Sequence, residues 1–158
     1  MNTPTPESPA SCCLQYELDI PIKAPVGIVW KALIDDIQAW WLKDFHMVGA
    51  DSTVAFDTSP GGKGLIEVNE DGSFLQWYQV QSFLPAEHRI YLVGHLAADY
   101  GGPATSHLRL TVETHEQHAS LNVSEAYHGN ADEDTLESLR LGWQQLFGDG
   151  LKAYVESL

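Results

Sequence analysis

Over the stretch Ala119 to Tyr127 the side chains of Leu121, Val123, Glu125 and Tyr127 share one face of a strand, opposite Ser120, Asn122, Ser124 and His128. Glu125 is thus a carboxylate on an otherwise apolar face. Such a group must be hydrogen-bonded, hydrated or shifted toward its neutral form, and groups of that kind serve as general acids and bases. In an enzyme, Glu125 is the residue that would act as acid or base, with Tyr127 beside it. Its place near the strand end favours the plainer reading, a side chain that reaches solvent.

Other chemistry finds less footing. Seven histidines are present, but none forms a His-x-x-x-His pair with a helical carboxylate. His107 and His128 fall on the outer side of their strands, and His115 and His118 flank a turn. Cys12 and Cys13 are adjacent, a poor arrangement for a mutual disulfide, and no Cys or His cluster completes a metal site near them. They read as reduced thiols. Gly61-Gly62-Lys63-Gly64 precedes a strand rather than a helix and lacks phosphate-loop spacing. No serine sits in a Gly-x-Ser-x-Gly frame. Neither a metal nor a cofactor is implied.

The elements that must position these side chains are legible from their periods. Leu14, Tyr16, Leu18, Ile20 and Ile22 alternate with polar residues, which predicts a half-buried strand. After Pro25, apolar residues Val26, Val29, Trp30, Leu33, Ile34 and Ile37 recur at helical spacing, predicting two short helices that end at Trp40 and Trp41. Six strands follow, at 53–56, 65–68, 74–83, 89–96, 106–114 and 119–127, separated by Gly, Pro and acidic turns. In the fifth of these, Leu108, Leu110 and Val112 face inward, while His107, Arg109, Thr111 and Glu113 face outward. The last segment predicts a long helix from about Asp132, with acidic residues at its N-terminus and Asn130 or Asp132 as cap. Its stripe is Leu136, Leu139, Trp143, Leu146, Phe147, Gly150, Tyr154 and Leu158. One face of the sheet must receive that stripe, so the fold class is α+β, a curved antiparallel sheet wrapped around a long C-terminal helix.

The chain has 158 residues, enough for one domain with an ordinary core. Residues 1–13, rich in Pro, Ser and Thr, predict a disordered leader, and residues 14–158 the single domain. Eight Lys and Arg stand against twenty-two Asp and Glu, a net charge of −14. That balance argues against nucleic acid and against an anionic membrane surface as partners. No apolar run is long enough to span a bilayer, and the first eleven residues lack the basic and apolar regions of a signal peptide. A cytoplasmic protein is expected.

Several strings resemble a known family. Ala24-Pro25-Val26-Gly27-Ile28-Val29-Trp30-Lys31-Ala32-Leu33, followed by Ala39-Trp40-Trp41, looks like the bacterial Hsp90-ATPase-activator-homologue branch of the START-like (SRPBCC) superfamily. Val80 with Pro85 and Ile90, Gly94 with Leu96, and Gly142-Trp143 are similar to its later strands and final helix. The resemblance covers residues 14–158 and implies a helix-grip fold, with a cavity between sheet and final helix. Under it the lining would comprise Tyr78, Val80, Ile90, Leu92, Leu110, Val123, Glu125 and Tyr127 from the sheet, and Trp143 and Phe147 from the helix. Taken singly, each bulky apolar residue reads as core. Taken together they outline a site for a small apolar or aromatic ligand, and non-catalytic binding is the first expectation. The scaffold does not assign function, since the superfamily also includes polyketide cyclases and pollen-allergen ligand binders. The alternatives are a cyclase- or hydrolase-like enzyme using Glu125 and a protein-interaction, co-chaperone-like module. The latter is weakened by the lack of the second domain that full co-chaperones carry. A homodimer also fits the resemblance.

Overall fold

Alternation of apolar and polar side chains builds the first element, β1 (Cys12–Ile22), in a computed structural model that describes residues 10–158. Cys12 and Cys13, expected in a disordered leader, instead begin this strand opposite Gly129 and His128. The partner strand extends far enough to receive them, and pairing satisfies backbone groups that a free leader would leave to water. Residues 1–9 of that leader lie outside the described residues.

Two short helices follow, α1 (Val26–Asp35) and α2 (Ile37–Trp40), separated at Asp36 by a non-helical backbone. They bury Val29, Ala32, Leu33, Ile34, Ile37 and Trp40, and the Trp40 indole donates to the Ala32 carbonyl at 2.8 Å. The chain then forms β2 (Thr53–Asp57), β3 (Gly64–Val68), β4 (Phe74–Leu84), β5 (Arg89–Leu96), β6 (Ala104–His115) and β7 (His118–Gly129). These strands make one antiparallel seven-stranded sheet in the order β1-β7-β6-β5-β4-β3-β2. Consecutive hairpins account for six strands, and β1 joins beyond β7.

The final helix begins with α3 (Glu133–Gln145). Asp132 caps it: its carboxylate accepts from the Thr135 N–H at 2.9 Å, while the Thr135 hydroxyl accepts from the Asp132 N–H at 3.2 Å. The helix continues through a π-helical segment, Leu146–Lys152, into α4 (Ala153–Glu156). A π turn holds more residues than an α turn, so beyond the buried Trp143, Leu146, Phe147 and Gly150 the stripe shifts to Leu151 and Val155, and Tyr154 is only half-buried. Leu158, expected to finish the stripe, lies past the end of α4 and is 73% exposed. Gly150 lies so close to α2 that a Cβ there would stand 2.6 Å from the Trp40 carbonyl oxygen. No helix of the described residues is long and apolar enough to cross a membrane.

Candidate functional site

Strand register explains how Glu125 acquires its neighbours. On β7 it stands opposite Tyr16 of β1 and Leu108 of β6, with Ser106 the diagonal neighbour on the same face. Rather than reaching solvent, Glu125 is 1% exposed, which corrects the expectation drawn from its place near the strand end. The final helix closes over that end and removes the route to water. Three donors converge on the carboxylate: the hydroxyls of Tyr16 and Ser106, and the Trp143 indole N–H at 3.0 Å. Because the single proton of Ser106 goes to Glu125, the Tyr78 hydroxyl donates to Ser106 Oγ, at 2.8 Å.

Tyr78 reaches across β5 to make that bond, and Gly94 is what lets it pass. A Cβ on Gly94 would lie 2.9 Å from the Tyr78 ring and 2.7 Å from the Trp77 carbonyl oxygen. Trp77 itself is turned by a bulge: β4 pairs with β3 through Leu65 to Tyr78 and then Ile66 to Gln76, leaving Trp77 as the extra residue. A bulge re-aims side chains, so Trp77 and Tyr78, neighbours in sequence, border the same space.

That space is a cavity of about 170 Å³ between the sheet and α3. Trp77, Tyr78, Tyr127 and Trp143 supply aromatic walls, Ser106 and Glu125 the polar edge, and Ala104 and Leu139 further apolar surface. The exposed His95 and Leu96 mark its outer end. The tilted rings of Tyr78 and Trp143 stand 6.0 Å apart, and Trp143 stacks on Phe147 at 5.5 Å. Burial first, and the Glu125 charge second, push the hydroxyls of Tyr16, Tyr78 and Tyr127 above the ordinary tyrosine range. All three stay protonated, and those of Tyr16 and Tyr78 serve as hydrogen-bond donors.

Of the residues expected to line a site, the structure brings Tyr78, Glu125, Tyr127 and Trp143 to this cavity. Ile90, Leu92, Leu110, Val123 and Phe147 do not border it. They are buried in the main core, and Val80 packs against that core from its edge. Alternation along a strand tells which side a residue faces, but side chains from the helices fill most of the enclosed volume.

A second buried carboxylate escaped the sequence reading. Glu67 on β3 is fully buried, and its Oε1 accepts from the N–H groups of Met47 and Val48 and from the Ser52 hydroxyl, at 2.7, 3.0 and 2.7 Å. Its Oε2 accepts from the Trp77 indole at 3.0 Å. His46 Nδ1 lies 2.6 Å from Ser52 Oγ. Burial pushes the Glu67 carboxyl upward, but the bonds from Val48, Ser52, Trp77 and Met47 outweigh it, and the net position is below the ordinary range. The available signal was a charge inside the apolar run Leu65-Ile66-Glu67-Val68. Glu67 ties the loop before β2 to the back of the Trp77 wall. Among the described residues, no group of three or more His, Cys, Asp or Glu could hold a metal ion.

The sequence pattern of the family described as Activator of Hsp90 ATPase homolog 1-like protein matches residues 23–156. No curated protein matches the chain. Among solved structures, protein CV1439 from Chromobacterium violaceum is 25% identical, with a TM-score of 0.63 over 90% of this chain and 96% of that one. Ara h 8.0201 is 15% identical, with a TM-score of 0.64 over 93% of this chain and 100% of that one. The Aha1 dimer from Colwellia psychrerythraea is 20% identical, with a TM-score of 0.52 over 90% and 96%.

Proposed function

Since the chain belongs to the family of Activator of Hsp90 ATPase homolog 1-like proteins, we propose that it is a non-catalytic binding domain for a small apolar or aromatic molecule. The observation that carries this reading is the cavity of about 170 Å³ walled by Trp77, Tyr78, Tyr127 and Trp143. Apolar walls with a few fixed polar groups are the usual composition of a ligand site. A cavity of roughly 150 Å³ accepts benzene, whereas drug-sized ligands need about 300 Å³ or more. The reading is therefore a benzene-sized ligand, or one ring of a larger molecule that extends past His95 and Leu96.

The cyclase- or hydrolase-like alternative draws less support. A general base must reach a proton of its substrate, and three of the roughly four acceptor positions of Glu125 are already taken by protein donors. A second copy of the chain is a further partner compatible with the fold, and sedimentation equilibrium decides it.

The test is a titration with benzyl alcohol followed by protein NMR, on the wild type and on Ala104→Leu. Ala104 borders the cavity, so a leucine there fills it. The wild type should bind, and the folded variant should lose at least tenfold in affinity. Equal binding by both, or none by the wild type, would sink the reading.

A further inference from the structure

Aromatic rings and a buried carboxylate occupy one small space here, and that combination has a chemical meaning the size of the cavity alone does not. Trp77, Tyr78, Tyr127, Trp143 and Glu125 all line the cavity. Carboxylates this deeply buried ordinarily have a basic partner. Among the described residues, Glu125 makes no ion pair with Lys, Arg or His. Arg140, whose charge reaches the Tyr16 hydroxyl, is itself paired with Glu137 at 2.9 Å.

The three hydrogen bonds to Glu125 replace its hydration without supplying a counter-charge. The indole of Trp143 is donor-only, so it fixes an accepting oxygen toward the helix. We propose that the cavity's ligand is a small organic cation, an ammonium-bearing or heteroaromatic cationic group, held by the faces of Trp77, Tyr78, Tyr127 and Trp143 with Glu125 as its counter-ion. This rests on the binding reading above and names its ligand class.

Two physical effects favour the cation. Ring faces carry negative quadrupole density and attract cations, more strongly when the cation is desolvated. A carboxylate at the edge of a low-dielectric space adds a Coulomb attraction that does not require a free lone pair. The same field rejects anions, as does the net charge of −14 over the whole chain. A neutral aromatic gains only the area buried.

The experiment compares three probes of one shape on the wild-type protein: benzylammonium, benzyl alcohol and benzoate, titrated at one pH and ionic strength by NMR. Benzylammonium should bind at least fivefold more tightly than benzyl alcohol, with benzoate weakest. Glu125→Gln, checked for a cooperative melting transition, should bring the ratio of benzylammonium to benzyl alcohol affinity down to about one, and a ratio that stays at fivefold or more in the folded variant overturns Glu125 as the counter-ion. A wild-type ratio below fivefold overturns the cationic ligand but leaves the small apolar site standing. Binding by none of the probes overturns both. Since the wild-type comparison needs no variant, the proposal stays testable even if Glu125→Gln fails to fold.

Discussion

Glu125 accepts from Tyr16, Ser106 and Trp143 at once, so an isosteric amide cannot replace it without loss. One oxygen of Gln can still accept from Tyr16 and Trp143, but its nitrogen donates, so Ser106 must turn its proton to Tyr78, and the bonds lose their charge assistance. Glu125→Gln should therefore cost about 1–3 kcal/mol in urea unfolding while leaving a cooperative transition. Trp143→Phe, which keeps an aromatic ring beside Phe147 but removes the indole N–H and part of the buried ring, should cost less than Trp143→Ala, for which about 3–5 kcal/mol is expected. Equal losses would show that the hydrogen bond, not ring packing, dominates at this residue. Glu67 gives a pH dependence whose sign follows from its lowered carboxyl pKa. In the unfolded chain a glutamate titrates near 4.5, so its contribution is fully present above that pH and is lost as pH falls toward the lowered native value. Unfolding free energies of wild type and Glu67→Gln should differ most at neutral pH, and the gap should narrow as pH falls below 4.5 toward the lowered native value. A constant gap would mean that the carboxylate charge is not what the four donors stabilise.

At the scale of elements, the final helix carries its own contrast in glycines. A methyl group on Gly142 would meet nothing within 4 Å, whereas one on Gly150 would strike the Trp40 carbonyl oxygen at 2.6 Å. Gly142→Ala should stabilise by about 0.5–1 kcal/mol, because alanine loses less backbone entropy on entering a helix. Gly150→Ala should destabilise by about 1–3 kcal/mol, since the π segment must move away from α2. Thermal melting of the pair reads both signs, and stabilisation by both would show that helix and α2 are not in firm contact. The extent of this helix is legible from residue types alone, with Asp132 one of two candidate caps, as are all seven strands and the break near Asp35. The π segment is not, because it answers to the close approach of Gly150 and Trp40 rather than to any local period.

For the molecule as a whole, charge is the dominant surface property. Twenty-two acidic residues against eight basic ones leave strong self-repulsion, and the ion pairs of partly exposed side chains, such as Arg109 with Glu17, offset little of it. Raising ionic strength from about 0.01 M to about 0.15 M shortens the screening length from roughly 30 Å to roughly 8 Å. The melting temperature should rise over that range. A fall would mean that the attractive pairs outweigh the net repulsion.

Periodicity by itself determined which side chains share a face, since the two-residue period of a strand and the near-four-residue period of a helix are local stereochemistry. Leu121, Val123, Glu125 and Tyr127 lie on one face as their spacing requires. Only the tertiary structure decided what that face meets. Glu125 receives a hydroxyl from Tyr16, 109 positions earlier in the chain, and an indole N–H from Trp143 on another element. Glu67 is buried by a loop that no period describes. The cavity is the volume that packing leaves over after Leu92, Leu110, Val123 and Phe147 have filled the rest. A remainder of that kind depends on every contacting side chain at once, so it has no signature in any one stretch of sequence.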